Sequence, residues 1–494
     1  MRQTHKMWIY VAALSSVFFF LATGQLSCAR ADVLAKHSPR HRDVKAHDPK
    51  PWQHTTPAVN TPGVSLRAQL DRGAVLQNSA GVVRVEVNVA TGPETDGIVA
   101  RASDIVVVID TSGSMKGEKL RFAKQATFEL ISRLGDQDRF GLVEYSDHGT
   151  VVVPLQHASE PNRRSWRREV QRLRARASTN ISEGIDVGGS LLERVSRDQR
   201  PGRLILLSDG LATAGDTSVT GLSRRAHNLA SNNFALTTMG IGSGFDENVM
   251  TSLATAGTGA FYYLAKLSYL PEFFEGELAS ARGTYARSAE LRFEPAQGVQ
   301  LLGAMGLPVH RDGLTSVVRL GGLYAARSRT VWLTLRVPTY SLGDKALGSL
   351  SLNYLRHGRS NLVAVGALPR VACLSDELRY QEKIHRSIWE RAVLDDVFNR
   401  TEEAFGDAIR SGNRQELRVA MRRAEDEKRL AQSIGSERVL RKLSALKKEA
   451  AHAEVAQRAP AAVRNKAAKK SKSRAYQQRN ASSYHDSAGA MRSY

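Results

Sequence analysis

The segment VVVIDTSGSMKGEKL, residues 106–120, ends an apolar run in a single acid, Asp110, and follows it with hydroxyls at Thr111, Ser112 and Ser114. Two distant segments carry the same donor types: RASTNIS brings Thr179 and LLSDGLAT brings Asp209. Carboxylates, hydroxyls and water suit a hard cation, Mg²⁺, Mn²⁺ or Ca²⁺. Nothing in these segments supplies the nitrogen or sulfur that zinc prefers. Hydroxyl ligands are neutral, so an ion held mainly by them keeps much of its charge and attracts a carboxylate from outside. Helix capping accounts for one of these side chains, Asp110 or Ser114, but not for Thr179 and Asp209 as well.

Two acids so far apart in sequence share a site only if the fold sets their strands on one edge. Val106 to Ile109 reads as a strand buried on both faces, and RLILLSDG reads as another that also ends in an acid. From Asp104 to about Ser280 such strands alternate with helical periodicity, as in Leu120, Ala123, Ala126, Leu130 and Leu134. The alternation predicts an α/β fold, a mostly parallel sheet with helices on both faces. Asp110 and Asp209 both stop at the carboxyl rim, where open sheets of this kind bind ligands. Gly113 lets the loop after Asp110 fold tightly and turn both serine hydroxyls inward.

Outside this unit the pattern changes. SLRAQL and VVRVEVNV alternate apolar with polar residues, and similar runs recur over 285–370. They predict an antiparallel β-sandwich, with the strands of 64–100 completing it. The α/β domain, 103–281, then becomes an insertion with both ends at one face. Residues 374–450 read as helical, with Ile384, Ile388, Trp389, Val393, Leu394 and Val397 forming an apolar stripe that docks on the sandwich. The Pro- and His-rich stretch 32–63 reads as a disordered linker, and 451–494 as a disordered basic tail.

DTSGSM, STNI and LLSDG together resemble the von Willebrand factor type A domain with its metal-ion-dependent adhesion site. That pattern is D-x-S-x-S, then Thr, then Asp, and it is met here at Asp110, Ser112, Ser114, Thr179 and Asp209. The resemblance covers about residues 103–281 and extends to GDQDRFGLVEYSD and TTMGIGSGFDENVM. It implies a Rossmann-like fold. It also implies that Ser112, Ser114 and Thr179 ligate a divalent cation directly, Mg²⁺ foremost with Mn²⁺ or Ca²⁺ as alternatives. Asp110 and Asp209 then act directly or through water, and a partner protein's Asp or Glu completes the shell. The whole chain is also similar to bacterial proteins labelled calcium-activated chloride channel homologues, and more loosely to inter-alpha-trypsin inhibitor heavy chains.

Arg2, His5 and Lys6 precede an apolar run from Trp8 to Leu26, which reads as an export signal over 1–31. Three endings stay open: cleavage after Ala29-Arg30-Ala31, a lipoprotein with Cys28 acylated, or an uncleaved anchor helix. Each places the body outside the cytoplasm, in the cell envelope or secreted. The other cysteine is Cys373, so loss or acylation of Cys28 leaves no internal disulfide. The net charge of +21 favours anionic partners: an acidic protein, an anionic surface or a polysaccharide. Export makes nucleic acid an unnatural one.

The same residues fit no enzyme. An Asp-nucleophile phosphatase requires a second acid where Ser112 stands, and GSMKG is not a nucleophile elbow. GIGSG at 240–244 lacks the surroundings of a dinucleotide loop. The stretch NRRSWRREVQRLRARAS ends just before Thr179, and we expect Arg163, Arg164, Arg167 and Arg168 to border the rim and steer an acidic ligand toward it. The expectation is an envelope binding protein that is not an enzyme. The alternative is a scaffold or accessory assembly factor acting mainly through its helical region.

Overall fold

The computed structural model describes residues 55–61, 63–93, 102–176, 178–195, 200–242, 244–264, 267–411 and 414–486. The predicted signal, Cys28 and most of the predicted linker lie outside the described residues. In chain order, β1 (Val59–Thr61), β2 (Val64–Leu70), β3 (Ala74–Leu76) and β4 (Val82–Thr91) come first. The α/β unit comprises β5 (Asp104–Asp110), α1 (Glu118–Arg133), β6 (Arg139–Tyr145), β7 (Gly149–His157), α2 (Glu160–Arg172), α3 (Ile181–Val195), β8 (Gly202–Ser208), α4 (Val219–Ser231), β9 (Phe234–Ile241), α5 (Glu247–Ala256), β10 (Thr258–Leu264) and α6 (Leu270–Arg282). Strands resume with β11 (Thr284–Pro295), β12 (Gln300–Ala304), β13 (Val309–Asp312), β14 (Thr315–Tyr324), β15 (Arg327–Arg336), β16 (Gly343–Lys345), β17 (Gly348–Arg356), β18 (Arg359–Ala367) and β19 (Val371–Leu374). Helices α7 (Glu377–Glu382), α8 (Arg386–Ala392), α9 (Asn399–Ser411), α10 (Arg414–Ser433), α11 (Glu437–Gln457) and α12 (Ala461–Ser483) follow, then β20 (Tyr484–Asp486).

β5 is central because it is apolar on both faces. It lies between β8 and β6 in the order β10-β9-β8-β5-β6-β7 and runs parallel to both neighbours. Only the β6–β7 pairing in this sheet is antiparallel, as the predicted hairpin requires. Ile105, Val107 and Ile109 pack on one side against α1, α2 and α6 through Leu130, Trp166 and Phe274. Val106 and Val108 pack on the other against α3, α4 and α5 through Ile185, Leu222 and Leu253. Each such side chain contributes about 1.5–3 kcal/mol by leaving water. Gly188 lets α3 lie close, since a Cβ there would fall 2.7 Å from Val108 Cγ2. The rim residues thus stand on a rigid, doubly covered sheet.

The sandwich forms as expected from strands on both sides of the insertion. One sheet runs β1-β2-β4-β15-β12 and the other β13-β14-β11-β17-β18. Val85 and Val87 of the first pack with Leu291, Phe293 and Leu352 of the second in one core. The insertion leaves after β4 and returns at β11. The carbonyls of Gly92 and Gly283 accept from Ala326 and Ala325, adjacent residues of one turn, at 3.0 and 2.9 Å. The linker boundary moves earlier than 63: Val59–Thr61 pair antiparallel with Val64–Leu66, and Gly63 takes a φ of +81° that closes the turn.

The apolar stripe of 384–397 divides between two surfaces. Ile388 and Ala392 pack with Met305 and Trp332 of the sandwich. Trp389, Val393 and Val397 join Phe405, Ile409, Leu443 and Leu446 in a separate helical core. Glu427 ties the layers together by accepting from Arg84 at 2.6 Å and from the Trp389 indole at 2.8 Å. The expected disordered tail is corrected: residues 461–483 form α12. Its Ala468 and Ala475 are buried, and its cations meet buried Glu402, half-buried Asp407 and Glu449, and a backbone carbonyl. Arg474 pairs with Glu402 and Glu449 at 2.5 and 2.6 Å, Lys472 with Asp407, and Lys469 donates to the Phe245 carbonyl. Alanine favours helix, and these partners offset the charge that made the segment read as disordered.

Candidate metal centre

The rim is assembled from three loops that follow strands or precede a helix. β5 ends at Asp110, and its carboxylate bends back to accept from the Ser112 N–H at 2.8 Å, an Asx turn that fixes the serine loop. The other oxygen of Asp110 accepts from the Ser208 hydroxyl, also at 2.8 Å, so β8 is tied to the same acid. Ser112 Oγ and Ser114 Oγ lie 3.0 Å apart. Ser114 donates onward to Asp209 Oδ1 at 2.7 Å. A side chain on Gly210 would begin 3.4 Å from Ser114 Oγ and 3.5 Å from Thr179 Oγ1, so both hydroxyls face one small space beside that glycine.

The Thr179 loop is held by backbone bonds. Thr179 O accepts from Thr213 N at 2.9 Å, Asn180 N donates to Ser146 O at 2.7 Å, and Arg176 N donates to Thr111 O at 2.6 Å. On the far side, Gly244 packs on Asp209: a Cβ there would fall 2.5 Å from the Asp209 carbonyl oxygen. Hydrogen bonds thus link Ser112 to Asp110 and to Ser114, and Ser114 to Asp209, and Thr179 Oγ1 faces the same small space beside Gly210.

The electrostatics of the cradle suit a cation. Asp110 is fully buried, and burial pushes its carboxyl above the usual range; the hydrogen bonds from Ser112 and Ser208 pull the other way, and the nearby Asp209 charge adds to the rise. Among the described residues no cationic side chain pairs with Asp110. A buried carboxylate without a cation is costly, and a divalent ion in the cradle removes that cost. Among the described residues no group of three or more His, Cys, Asp or Glu is placed to hold a metal.

Two contributors escaped the sequence reading. Ser208 looks like the last residue of an apolar strand. Lys119, in the first turn of α1, looks like a solvated helix residue, yet its ammonium pairs with Asp209 Oδ2 and donates to Ser114 O at 3.2 Å.

The arginine expectation is corrected. Arg163 donates to Leu134 O at 2.7 Å and to Asp136 Oδ1 at 2.9 Å, and both it and Arg164 approach Glu160. Leu134 and Asp136 precede β6, at the edge of the sheet opposite Asp110. β7 runs antiparallel, so α2 starts at that far edge and climbs toward the rim. Arg167 and Arg168 are exposed along the way; past the helix end, Arg176 meets the serine loop through its backbone N–H.

Residues 104–276 match the family model for the von Willebrand factor type A domain. The chain is 24% identical over 326 residues to Uncharacterized protein sll0103 of Synechocystis sp., spanning 63% of this chain and 75% of that protein. It is 30% identical over 153 residues to Inter alpha-trypsin inhibitor, heavy chain 4 of Mus musculus, but there spans 30% of this chain and only 16% of the relative. Among solved structures, von Willebrand factor type A from Catenulispora acidiphila superposes with a TM-score of 0.59 at 21% identity, over 78% of this chain and 90% of that one. The ArnB paralog VWA2 from Sulfolobus acidocaldarius gives 0.51 at 16% identity, over 84% and 99%. At these identities the solved structures share the fold, over more of this chain than the α/β unit alone. Sheet order, rim position and family match agree, and the α/β unit inserted between β4 and β11 is a von Willebrand factor type A domain.

Proposed function

We propose that this protein is exported to the cell envelope, where it binds a partner protein through a divalent cation at the rim and catalyses no reaction. The observation that supports this reading is the meeting of Asp110, Ser112, Ser114, Thr179 and Asp209 in one cradle. Ser112, Ser114 and Thr179 would hold the ion, Mg²⁺ foremost, and Asp110 and Asp209 would balance its charge. When bound, the ion supplies a Lewis-acidic position for an Asp or Glu carboxylate of the partner. Among the described residues the serines have no imidazole hydrogen-bond partner: their hydroxyls bond to each other and, through Ser114, to Asp209, which suits ligation rather than nucleophilic attack.

Calorimetry of the purified chain with Mg²⁺, Mn²⁺ and Ca²⁺ tests the metal. Ser112→Ala with Ser114→Ala should weaken uptake at least about tenfold, since even outer-shell losses cost that much. Pulldown from envelope extract should recover a partner with Mg²⁺ and lose it with chelator or in the double variant. Mass spectrometry of the mature amino terminus distinguishes acylated Cys28 from cleavage or an intact anchor. No uptake of any of the three ions ends the reading.

A further inference from the structure

Beside the rim runs a groove of about 790 Å³ between α1 and the residues that follow α2. One end is formed by Gly113, Lys116 and Gly117 of the serine loop. Leu120 and Leu173 make a buried floor, with half-buried Phe128 beside them. The walls bear Lys116, Arg121, Lys124, Arg174 and Arg176, and no acidic residue lines the groove. The 2.6 Å bond from Arg176 N to Thr111 O fixes this basic wall to the serine loop.

Two of these cations are set against each other. Lys124 Nζ and Arg174 Nη1 both donate to the carbonyl oxygen of Gln171, at 2.9 and 3.0 Å. Two positive charges on one neutral oxygen repel. Partial burial, and then the charge of Arg174, lower the pKa of Lys124. Arg121 has Glu118 at 3.7 Å and Arg176 has Glu144 at 2.7 Å. Among the described residues neither Lys124 nor Arg174 has a carboxylate partner. A carboxylate between them would accept charge-assisted bonds from both and relieve the repulsion.

We propose that the groove is a second contact for the partner, taking an acidic protein segment that also bears an apolar side chain. Lys124 and Arg174 clamp one of its carboxylates, and Leu120, Phe128 and Leu173 receive the apolar group. The proposal rests on the reading of the rim as a partner-binding site and extends it from one carboxylate to a stretch of chain. The apolar floor selects a protein segment over a sulfated polysaccharide, which has charge but nothing to bury there.

The test uses the full chain and a labelled peptide of alternating glutamate and leucine, followed by fluorescence anisotropy with Mg²⁺ and with chelator. The peptide should bind in both, more tightly with Mg²⁺. Lys124→Glu with Arg174→Glu should weaken it about tenfold in both conditions, while Mg²⁺ uptake by that variant stays as in the parent and shows that it is folded. The same peptide with glutamine for glutamate should not bind. Unchanged binding by the charge-reversed variant overturns the groove. So does a chain that binds heparin through Lys124 and Arg174 but not the peptide. If reversal weakens binding while chelator and Ser112→Ala with Ser114→Ala have no effect, the groove stands and the metal reading falls. If only chelator acts, the groove falls and the metal reading stands.

Discussion

Lys119 lays its ammonium on Oδ2 of Asp209 while Ser114 donates to Oδ1 of the same carboxylate. The lysine comes from the first turn of α1 and the acid from the residue that follows β8. Asp209 is almost wholly buried, whereas the Lys119 side chain is 33% exposed. The pair is thus a buried anion partly neutralised by a cation that water can reach, and a divalent ion bound at the rim as proposed would share the anion with it.

Lys119→Met removes that competitor. Unit charges about 4 Å apart interact by about 4 kcal/mol at an effective dielectric of 20, and screening at a one-third exposed ammonium leaves a fraction of it. We expect Mg²⁺ to bind roughly tenfold more tightly to the variant, and its metal-free form to melt at lower temperature. Calorimetry and thermal melts with and without Mg²⁺ read both. An affinity equal to or below that of the parent means Lys119 does not oppose the ion.

At the other end of the domain, Glu277 is enclosed. It accepts from Arg203 at 2.5 Å, Thr237 at 2.7 Å and Tyr262 at 2.9 Å, and Arg203 also reaches the Tyr324 hydroxyl of the sandwich. Glu277→Ala strands a buried guanidinium, which should cost about 3–5 kcal/mol in urea unfolding. Replacing Arg203 and Glu277 together by Met should cost clearly less, because no charge is left unpaired. Equal losses in the two variants would mean that packing, not charge pairing, governs this site.

The docking of α12 should depend on pH. Burial raises the Glu402 carboxyl from about 4.5 to about 7; its neighbour Glu449 pushes the same way and Arg474 opposes. Glu402 Oε1 has no hydrogen-bond partner, which agrees with an acid that is readily protonated in place. For a carboxyl with a raised folded-state pKa, the folded state binds the extra proton, so stability falls as pH climbs from about 4.5 to about 7 and then levels off. Hydrogen exchange in 461–483 should therefore be slowest near pH 5 after correction for intrinsic rates, and Glu402→Gln should flatten the profile. Protection that rises with pH in the parent would contradict this.

Much of the architecture is legible from residue type and order. β5 and β8 are apolar runs too short for helices and end in acids, which places Asp110 and Asp209 on one rim. The hydroxyl donors follow from their loops. Lys119 was not legible, because a lysine in an amphipathic helix looks the same whether it faces water or an acid 90 residues away. The arginines of α2 misled for a geometric reason: spacing defines a helix but not which end meets the rim, and that depends on β7 reversing direction. The helix α12 was hidden because the groups that hold its cations, Glu402, Asp407 and the Phe245 carbonyl, lie far back in the chain.

Gly92 and Gly283 bond to adjacent residues of a single turn, so the chain departs for the α/β unit and comes back through nearly the same point. The two stems of the insert therefore stand side by side, while Tyr324 of the sandwich and Lys469 of α12 bond into it elsewhere. A foreign cassette with neighbouring termini could be grafted at the same junction. Seen this way, the sandwich is a mount that carries the α/β unit on two adjacent stems.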